Sequence, residues 1–378
     1  MSRSLSSFIS QDLNRKIVLL SGPRQVGKTT LARSLMQSAD YLNFDDEDDR
    51  KQILVRRWDR KKDLLILDEI HKMTRWKAWL KGIFDKEGVR PRILVTGSAR
   101  MDIARKMGDS LAGRYFQYQL FPLDLKELSS LGNLEVTYQT LVQCSGFPEP
   151  FIEGNVGFYT KWKRTHLDVI LRQDLITLEA VRDISTIETL LILLQGRVAS
   201  PFSYSSVGGD LQRDVKTVQR WIEMLENLYL VFRIQPYTRN IARSILKEPK
   251  LYFFDYCRVD GDDGVVFENV VAVALKKEVS FLNEALGVDA SLHTLRIKGG
   301  REIDFLVLRK GLPPLLIEAK LSDSTPSPNF ALFRKYFPGC YQIQLVRNLT
   351  REFTTPDGIQ VQSALPWLQK MDLSKASQ

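Results

Sequence analysis

Residues 17–36, IVLLSGPRQVGKTTLARSLM, constrain the fold more than any other stretch of the chain. Ile17 to Leu20 is a short apolar run of β-formers, and Leu31 and Leu35 recur at helical spacing, so the segment between them must join a strand to a helix. That segment, Gly22-Pro23-Arg24-Gln25-Val26-Gly27-Lys28-Thr29 with Thr30 next, spells G-x-x-x-x-G-K-T, the pattern of a phosphate-binding loop. Gly22 and Gly27 allow the turn and the close approach of backbone to phosphate. Backbone N–H groups at the start of the helix favour a polyanion. Lys28 brings a point charge to the β- and γ-phosphates, and the Thr29 hydroxyl is placed to ligate magnesium. The expected ligands are ATP and Mg2+, and the expected class is α/β.

A second motif lies downstream. Leu64-Leu65-Ile66-Leu67-Asp68-Glu69 has the four apolar residues of a strand buried on both faces, ending in two carboxylates. A parallel sheet delivers such an end to the edge where the loop sits, so Asp68 is expected on the metal and Glu69 on the attacking water. Arg92–Gly97, RILVTG, is another buried strand; Thr96 or Ser98 at its end either senses the γ-phosphate or caps the next helix. Tyr41–Phe44 and Tyr115–Leu120 read as further strands, and Lys51–Trp58 and Trp76–Lys86 as helices. The acidic run Asp45 to Asp49 reads as a solvated helix start rather than a metal site. Arg114, just before the last of these strands, is either a surface ion pair or an arginine that reaches a γ-phosphate, in cis or across a subunit interface.

Composition sets the surroundings. The 378 residues suffice for two or three cores, and 44% apolar with 26% charged content is that of a soluble globular protein. No apolar run reaches bilayer length, and the first residues lack a secretory apolar core, so a cytoplasmic location with no membrane partner is expected. Cys144, Cys257 and Cys340 are scattered, as are His71, His166 and His293, which argues for reduced thiols and against a zinc site. A net charge of +9 points to an anionic partner, most naturally DNA.

The order GPRQVGKTTL, YLNFDD, LLILDEI, RILVTGSAR, SLAGRYFQYQL and SGFPEP resembles the prokaryotic AAA-type ATPases that carry a C-terminal domain of unknown function. The resemblance spans nearly the whole chain. It implies an AAA+ core, a homo-oligomer such as a hexameric ring, and Arg114 as arginine finger. His71 stands where such proteins often have Gln, and Arg100 follows Gly-Ser-Ala where Ser is common.

Residues 146–156, GFPEPFIEGNV, read as a loop closing an ATPase domain of residues 1–150. Residues 151–240 are expected to form a helical lid, with Ile187 to Leu194 buried, followed by a winged-helix region. There Tyr204–Leu211 and Lys216–Leu228 form a helix-turn-helix, with Leu230–Ile234 as wing strand. Arg213, Lys216, Thr217, Gln219 and Arg220 at the second helix's start are of the types that contact DNA, although winged helices also pack against protein. In residues 241–378, Glu302–Val307 and Leu315–Lys320 form a hairpin with a turn at Gly311–Pro314. This brings Asp304, Glu318 and Lys320 to one face. With Glu268 in the helical run Val265–Leu275, the set resembles the PD-(D/E)xK nucleases, which implies an α/β nuclease-like domain and a carboxylate-held magnesium ion. Cross-strand Glu/Lys pairs equally stabilise ordinary sheets. The function expected is that of an ATP-hydrolysing protein acting on DNA, with branched DNA in repair or recombination as one setting. The alternatives are an ATP-controlled nuclease and a signalling switch that binds protein.

Overall fold

The structure, a computed structural model, describes residues 3–98, 111–175, 183–238, 248–297 and 299–375. The chain divides into two compact units, Met1–Pro122 and Leu123–Gln378. No helix among the described residues is long and apolar enough to cross a membrane.

In the first unit five parallel strands, β1 (Ile17–Ser21), β2 (Ala39–Asn43), β3 (Leu64–Asp68), β4 (Arg92–Gly97) and β5 (Tyr115–Gln119), form a sheet in the order β2-β3-β4-β1-β5. The uninterrupted apolar runs of β1, β3 and β4 take the centre, buried on both faces, while the more polar β2 and β5 take the edges. Helices α1 (Ser6–Asp12), α2 (Lys28–Ser34), α3 (Glu47–Leu54) and α4 (Trp76–Glu87) accompany the sheet, with a 3-10 turn at Ile70–Lys72. Leu19, Leu65, Leu67, Ile93 and Val95 of the strands share a core with Trp76, Leu80 and Ile83 of α4 and with Trp58. From β1 the chain crosses to the far edge, returns through β2, β3 and β4, and then passes β1 to reach β5. Register pairs Ser21 with Gly97 and Asp68 with Thr96, so the carboxyl ends of the central strands meet at one edge, where open α/β sheets bind ligands.

One local expectation shifts. Helix α3 starts at Glu47 rather than Lys51, because the Asp46 carboxylate accepts from the N–H groups of Asp48 and Asp49 and caps the helix earlier. The acidic run is therefore a solvated helix start, as read from sequence, with Asp45 paired to Lys72 at 2.6 Å. Position 100, noted above for its arginine, lies outside the described residues.

The second unit runs from Leu123 to Gln378, whereas the sequence suggested boundaries near residues 151 and 240. Leu123 N–H donates to the Gly146 carbonyl at 2.7 Å, and the Tyr256 hydroxyl donates to the Leu123 carbonyl at 3.1 Å. The helix Leu134–Cys144 is tied in by the Cys257 thiol, which donates to the Val142 carbonyl at 3.1 Å. Across residue 240, β6 (Val231–Ile234) pairs antiparallel with β7 (Lys250–Phe253), and Asn269 binds both the N–H and the carbonyl of Phe253. All but the Leu123–Gly146 and Asn269–Phe253 bonds join segments that a three-domain division would separate.

Helices Tyr204–Leu211 and Val215–Asn227 precede this hairpin, as the helix-turn-helix rhythm required. A Cβ added at Gly208 would lie 2.7 Å from the Arg213 carbonyl oxygen, so glycine permits the tight turn between them. Helix Ile184–Gln195 buries Ile187, Leu190, Leu191 and Leu194, but Ile192 is exposed, because the helix presents one face only. The remaining strands, β8 (Ala290–Arg296), β9 (Glu302–Arg309), β10 (Leu312–Lys320), β11 (Tyr341–Val346), β12 (Phe353–Thr354) and β13 (Ile359–Ser363), form a mixed sheet ordered β12-β13-β11-β10-β9-β8. Pro313 and Pro314 lie inside β10 at a register shift against β9 rather than in the turn, a place where missing N–H donors are tolerated.

The packing around the phosphate-binding loop gives a direct test. Gly22 has φ +153°, and a Cβ there would lie 2.4 Å from the Leu120 carbonyl oxygen at the end of β5. Gly22→Ala should therefore destabilise the first unit by about 2 kcal/mol. Thermal unfolding measures this, and an unchanged melting midpoint would contradict the packing described.

Candidate functional site

Strand β1 ends at Ser21, and the loop turns through positive φ at Gln25 (60°) and Gly27 (95°) before α2 starts at Lys28. Pro23 and Val26 are buried beneath the loop, while Gln25 and Thr30 are exposed and Arg24 and Thr29 are half-buried. The buried Lys28 ammonium donates to the carbonyls of Gly22 at 2.9 Å and Pro23 at 2.7 Å, so its charge is held within the loop.

Asp68 collects three side-chain hydroxyls. Thr29 donates to Oδ2 at 3.1 Å, Tyr41 to Oδ2 at 2.7 Å, and the fully buried Thr96 to Oδ1 at 2.5 Å. Burial and the Asp68 contact raise the Tyr41 pKa, so the phenol remains a neutral donor. Thr96 thus positions Asp68, a third role beside the two left open from the sequence. Thr29 and Asp68 supply hard oxygen donors of the kind Mg2+ takes, beside the Lys28 charge, and so fit an ATP–Mg2+ pair.

Glu69 follows in the left-handed region (φ 55°), which turns its side chain out of the strand direction. Ser98 holds the carboxylate through its N–H at 3.1 Å and its hydroxyl at 3.3 Å, and His71 Nε2 lies 3.5 Å away. Burial pushes the Glu69 carboxyl up to about 7, against the opposing pull of Lys28 and with a further rise from Asp68. A carboxyl so tuned serves as a base near neutral pH. Ser98 is therefore an orienting group for Glu69.

Arg114 is placed elsewhere. Register pairs Ile17 with Tyr115 and Ser21 with Gln119, so Arg114 stands at the amino edge of the sheet. About 13 Å of strand separates that edge from the loop. Of the alternatives left open from the sequence, the contact seen within one chain is the ion pair: Arg114 meets Asp85, 2.7 Å from Nε to Oδ1.

In the second unit, Lys216 and Arg220 are exposed on helix Val215–Asn227, with Gln219 half-buried between them. Arg213 pairs with Asp183 at 2.7 Å, and Thr217 is engaged with the capping Asp214, so these two side chains already serve the local fold.

The four acids and bases of the expected nuclease-like set do converge. Asp304 Oδ2 accepts from Ala319 N–H at 3.0 Å, Glu318 Oε2 accepts from Asp304 N–H at 3.4 Å, and Lys320 meets Glu318 at 2.8 Å. Glu268, on the helix Asp263–Glu284, accepts from the Tyr252 hydroxyl at 2.8 Å. Sequence reasoning missed the group at the centre: Lys250, at the start of β7, lies 3.0 Å from Asp304, 3.1 Å from Glu268 and 3.4 Å from Glu302. Burial disfavours its charge, but the three carboxylates outweigh that and hold its pKa above the ordinary range. Burial, reinforced by Asp304, raises the pKa of both Glu268 and Glu318. No motif marks Lys250 or Tyr41, because each reaches its acid through sheet register rather than sequence spacing.

Comparison with known proteins agrees with the first unit. Residues 14–129 match the AAA domain family, and residues 136–257 match a domain of unknown function (DUF8612). Residues 14–129 are thus an AAA-type P-loop ATPase domain. An uncharacterized protein of Mycobacterium tuberculosis is 26% identical, covering 82% of this chain and 72% of its own. One from Methanocaldococcus jannaschii is 22% identical over 85% and 78%, and one from Haemophilus influenzae 23% identical over 93% and 94%. Among solved structures, a signal transduction ATPase with numerous domains and a tetratricopeptide repeat sensor, from Pyrococcus horikoshii, is 14% identical. It covers 76% of this chain, which spans 48% of that one, with a TM-score of 0.24.

The arrangement at Glu69 predicts the kinetics. Glu69→Gln should retain ATP binding and lose turnover by about a hundredfold or more. In the wild type the base must be ionised, so kcat/KM for ATP should rise with pH toward about 7 and level off above it. Wild-type turnover in the variant, or a flat profile through neutral pH, would contradict the role of Glu69.

Proposed function

We propose that this chain hydrolyses ATP with Mg2+ in the first unit and uses the cycle to act on DNA through the second. The observation that carries the hydrolytic reading is the convergence of Thr29, Asp68 and Glu69 beside Lys28. Lys28 and the loop backbone bind the β- and γ-phosphates, and Thr29 and Asp68 hold Mg2+, which neutralises charge developing on the phosphoryl oxygens. Tyr41 and Thr96 fix the Asp68 carboxylate for that task. Glu69, held by Ser98, takes the proton of the water that attacks in line. Arg114 serves a neighbouring copy in a homo-oligomer, such as a ring, because its place at the amino edge leaves only an approach in trans.

The DNA reading rests on the +9 net charge and on a two-helix turn followed by the β6–β7 hairpin, the geometry of a winged helix. Lys216 and Arg220 make the phosphate contacts, with Gln219 beside them. Arg213 and Thr217 set the turn. A chain of this kind works in the cytoplasm. DNA should accelerate ATP hydrolysis, and Lys216→Glu with Arg220→Glu should weaken DNA binding and flatten its log–log salt slope by about 2. An ATPase rate indifferent to duplex, single-stranded and branched DNA would overturn this reading in favour of a protein partner.

A further inference from the structure

The convergence of Glu268, Asp304, Glu318 and Lys320 is what a metal-dependent nuclease requires, yet the residues around it do not fit a divalent ion. The Lys250 ammonium lies between Asp304 Oδ1 at 3.0 Å and Glu268 Oε1 at 3.1 Å, with Glu302 Oε1 at 3.4 Å, and its side chain is 4% exposed. Mg2+ takes oxygen ligands at about 2.0–2.1 Å in near-octahedral geometry, so an ion held by Asp304 Oδ1 or Glu268 Oε1 would have to displace the Lys250 ammonium. The other oxygens of Asp304 and Glu318 have partners of their own. Asp304 Oδ2 accepts a backbone N–H from Ala319, Glu318 Oε1 meets Lys320, and Glu318 Oε2 accepts from Asp304 N–H. Tyr252 reinforces Glu268 Oε1 from the same strand as Lys250.

Lys250 is also anchored in its backbone. It pairs with Ile234 in the β6–β7 ladder and bridges to Pro201, which fixes the point from which its side chain enters the cluster.

We infer that Lys250 is the resident cation of this pocket. It stands where a nuclease would hold its metal, and the second unit therefore binds its partner without cutting nucleic acid. The lysine does for the fold what a metal does for such a site, gathering the helix Asp263–Glu284 and strand β9 around one positive charge. The inference concerns the second unit alone and stands whether or not that unit meets DNA.

The test is Mn2+ binding, followed by electron paramagnetic resonance on nucleotide-free full-length protein, so that the ATP-linked metal is absent. The wild type should show no Mn2+ binding that depends on Asp304. Lys250→Ala should gain a Mn2+ site, and the gain should vanish in Lys250→Ala with Asp304→Asn. Lys250→Met, which keeps the aliphatic stem, serves where the alanine variant fails to fold. Wild-type Mn2+ binding lost on Asp304→Asn would overturn the inference, as would a folded Lys250 variant that gains no site. In parallel, Mg2+-dependent cleavage of duplex, single-stranded or branched DNA by the wild type, abolished by Asp304→Ala, would overturn it without reference to any Lys250 variant.

Discussion

The first unit depends on how one buried carboxylate is satisfied. Asp68 sits at the end of β3, where the sheet meets the phosphate-binding loop, and three hydroxyls from three different elements converge on it. Thr29 belongs to α2, Tyr41 to β2 and Thr96 to β4, so the hydrogen bonds of one side chain fix the carboxyl edge of the sheet relative to the loop. Hydroxyl donors satisfy a carboxylate without neutralising it. The negative charge remains available to a cation, and the geometry is set before one arrives.

The second unit treats buried acid in the opposite way. Glu268, Glu302 and Asp304 surround the Lys250 ammonium, and Glu318 is matched by Lys320. Charges so deep are tolerated only when paired and hydrogen-bonded, and removing one partner of such a set costs about 3–5 kcal/mol. One unit therefore keeps its acid poised for a cation from outside, while the other supplies the cation from its own chain. This contrast separates an acid open to an external cation from one already paired more clearly than residue identity does, since both sites are rich in acids and lysines.

Much of the first unit was legible in the sequence because its information is local. Ile17–Leu20, Leu64–Leu67 and Arg92–Gly97 are strands whose apolar runs announce burial on both faces, and each leads into the residues of the candidate site. What the sequence hid is set by pairing between distant segments. Tyr41 joins Asp68 because β2 lies beside β3, and Lys250 enters the acidic cluster because β7 pairs with β6 and borders the helix bearing Glu268. The role of Arg114 stayed open in the sequence for the same reason: its position one residue before a strand says nothing about which edge that strand's start occupies. Likewise the boundary expected near residue 151 followed a Gly- and Pro-rich stretch, whereas the Leu123–Gly146 and Tyr256–Leu123 hydrogen bonds draw residues 123–146 into the second unit.

The central claim is that Lys28, Thr29 and Asp68 form a site organised in advance for a nucleotide and its metal. A crystal structure with Mg2+ and a non-hydrolysable ATP analogue tests it most directly. The account predicts that the Lys28 ammonium leaves the Gly22 and Pro23 carbonyls for the phosphates. It also predicts that Thr29 exchanges its hydrogen bond to Asp68 for a shared metal, while Tyr41 and Thr96 stay on the carboxylate. An analogue bound away from the loop, or bound there with Lys28 still on the carbonyls and no metal between Thr29 and Asp68, would contradict it.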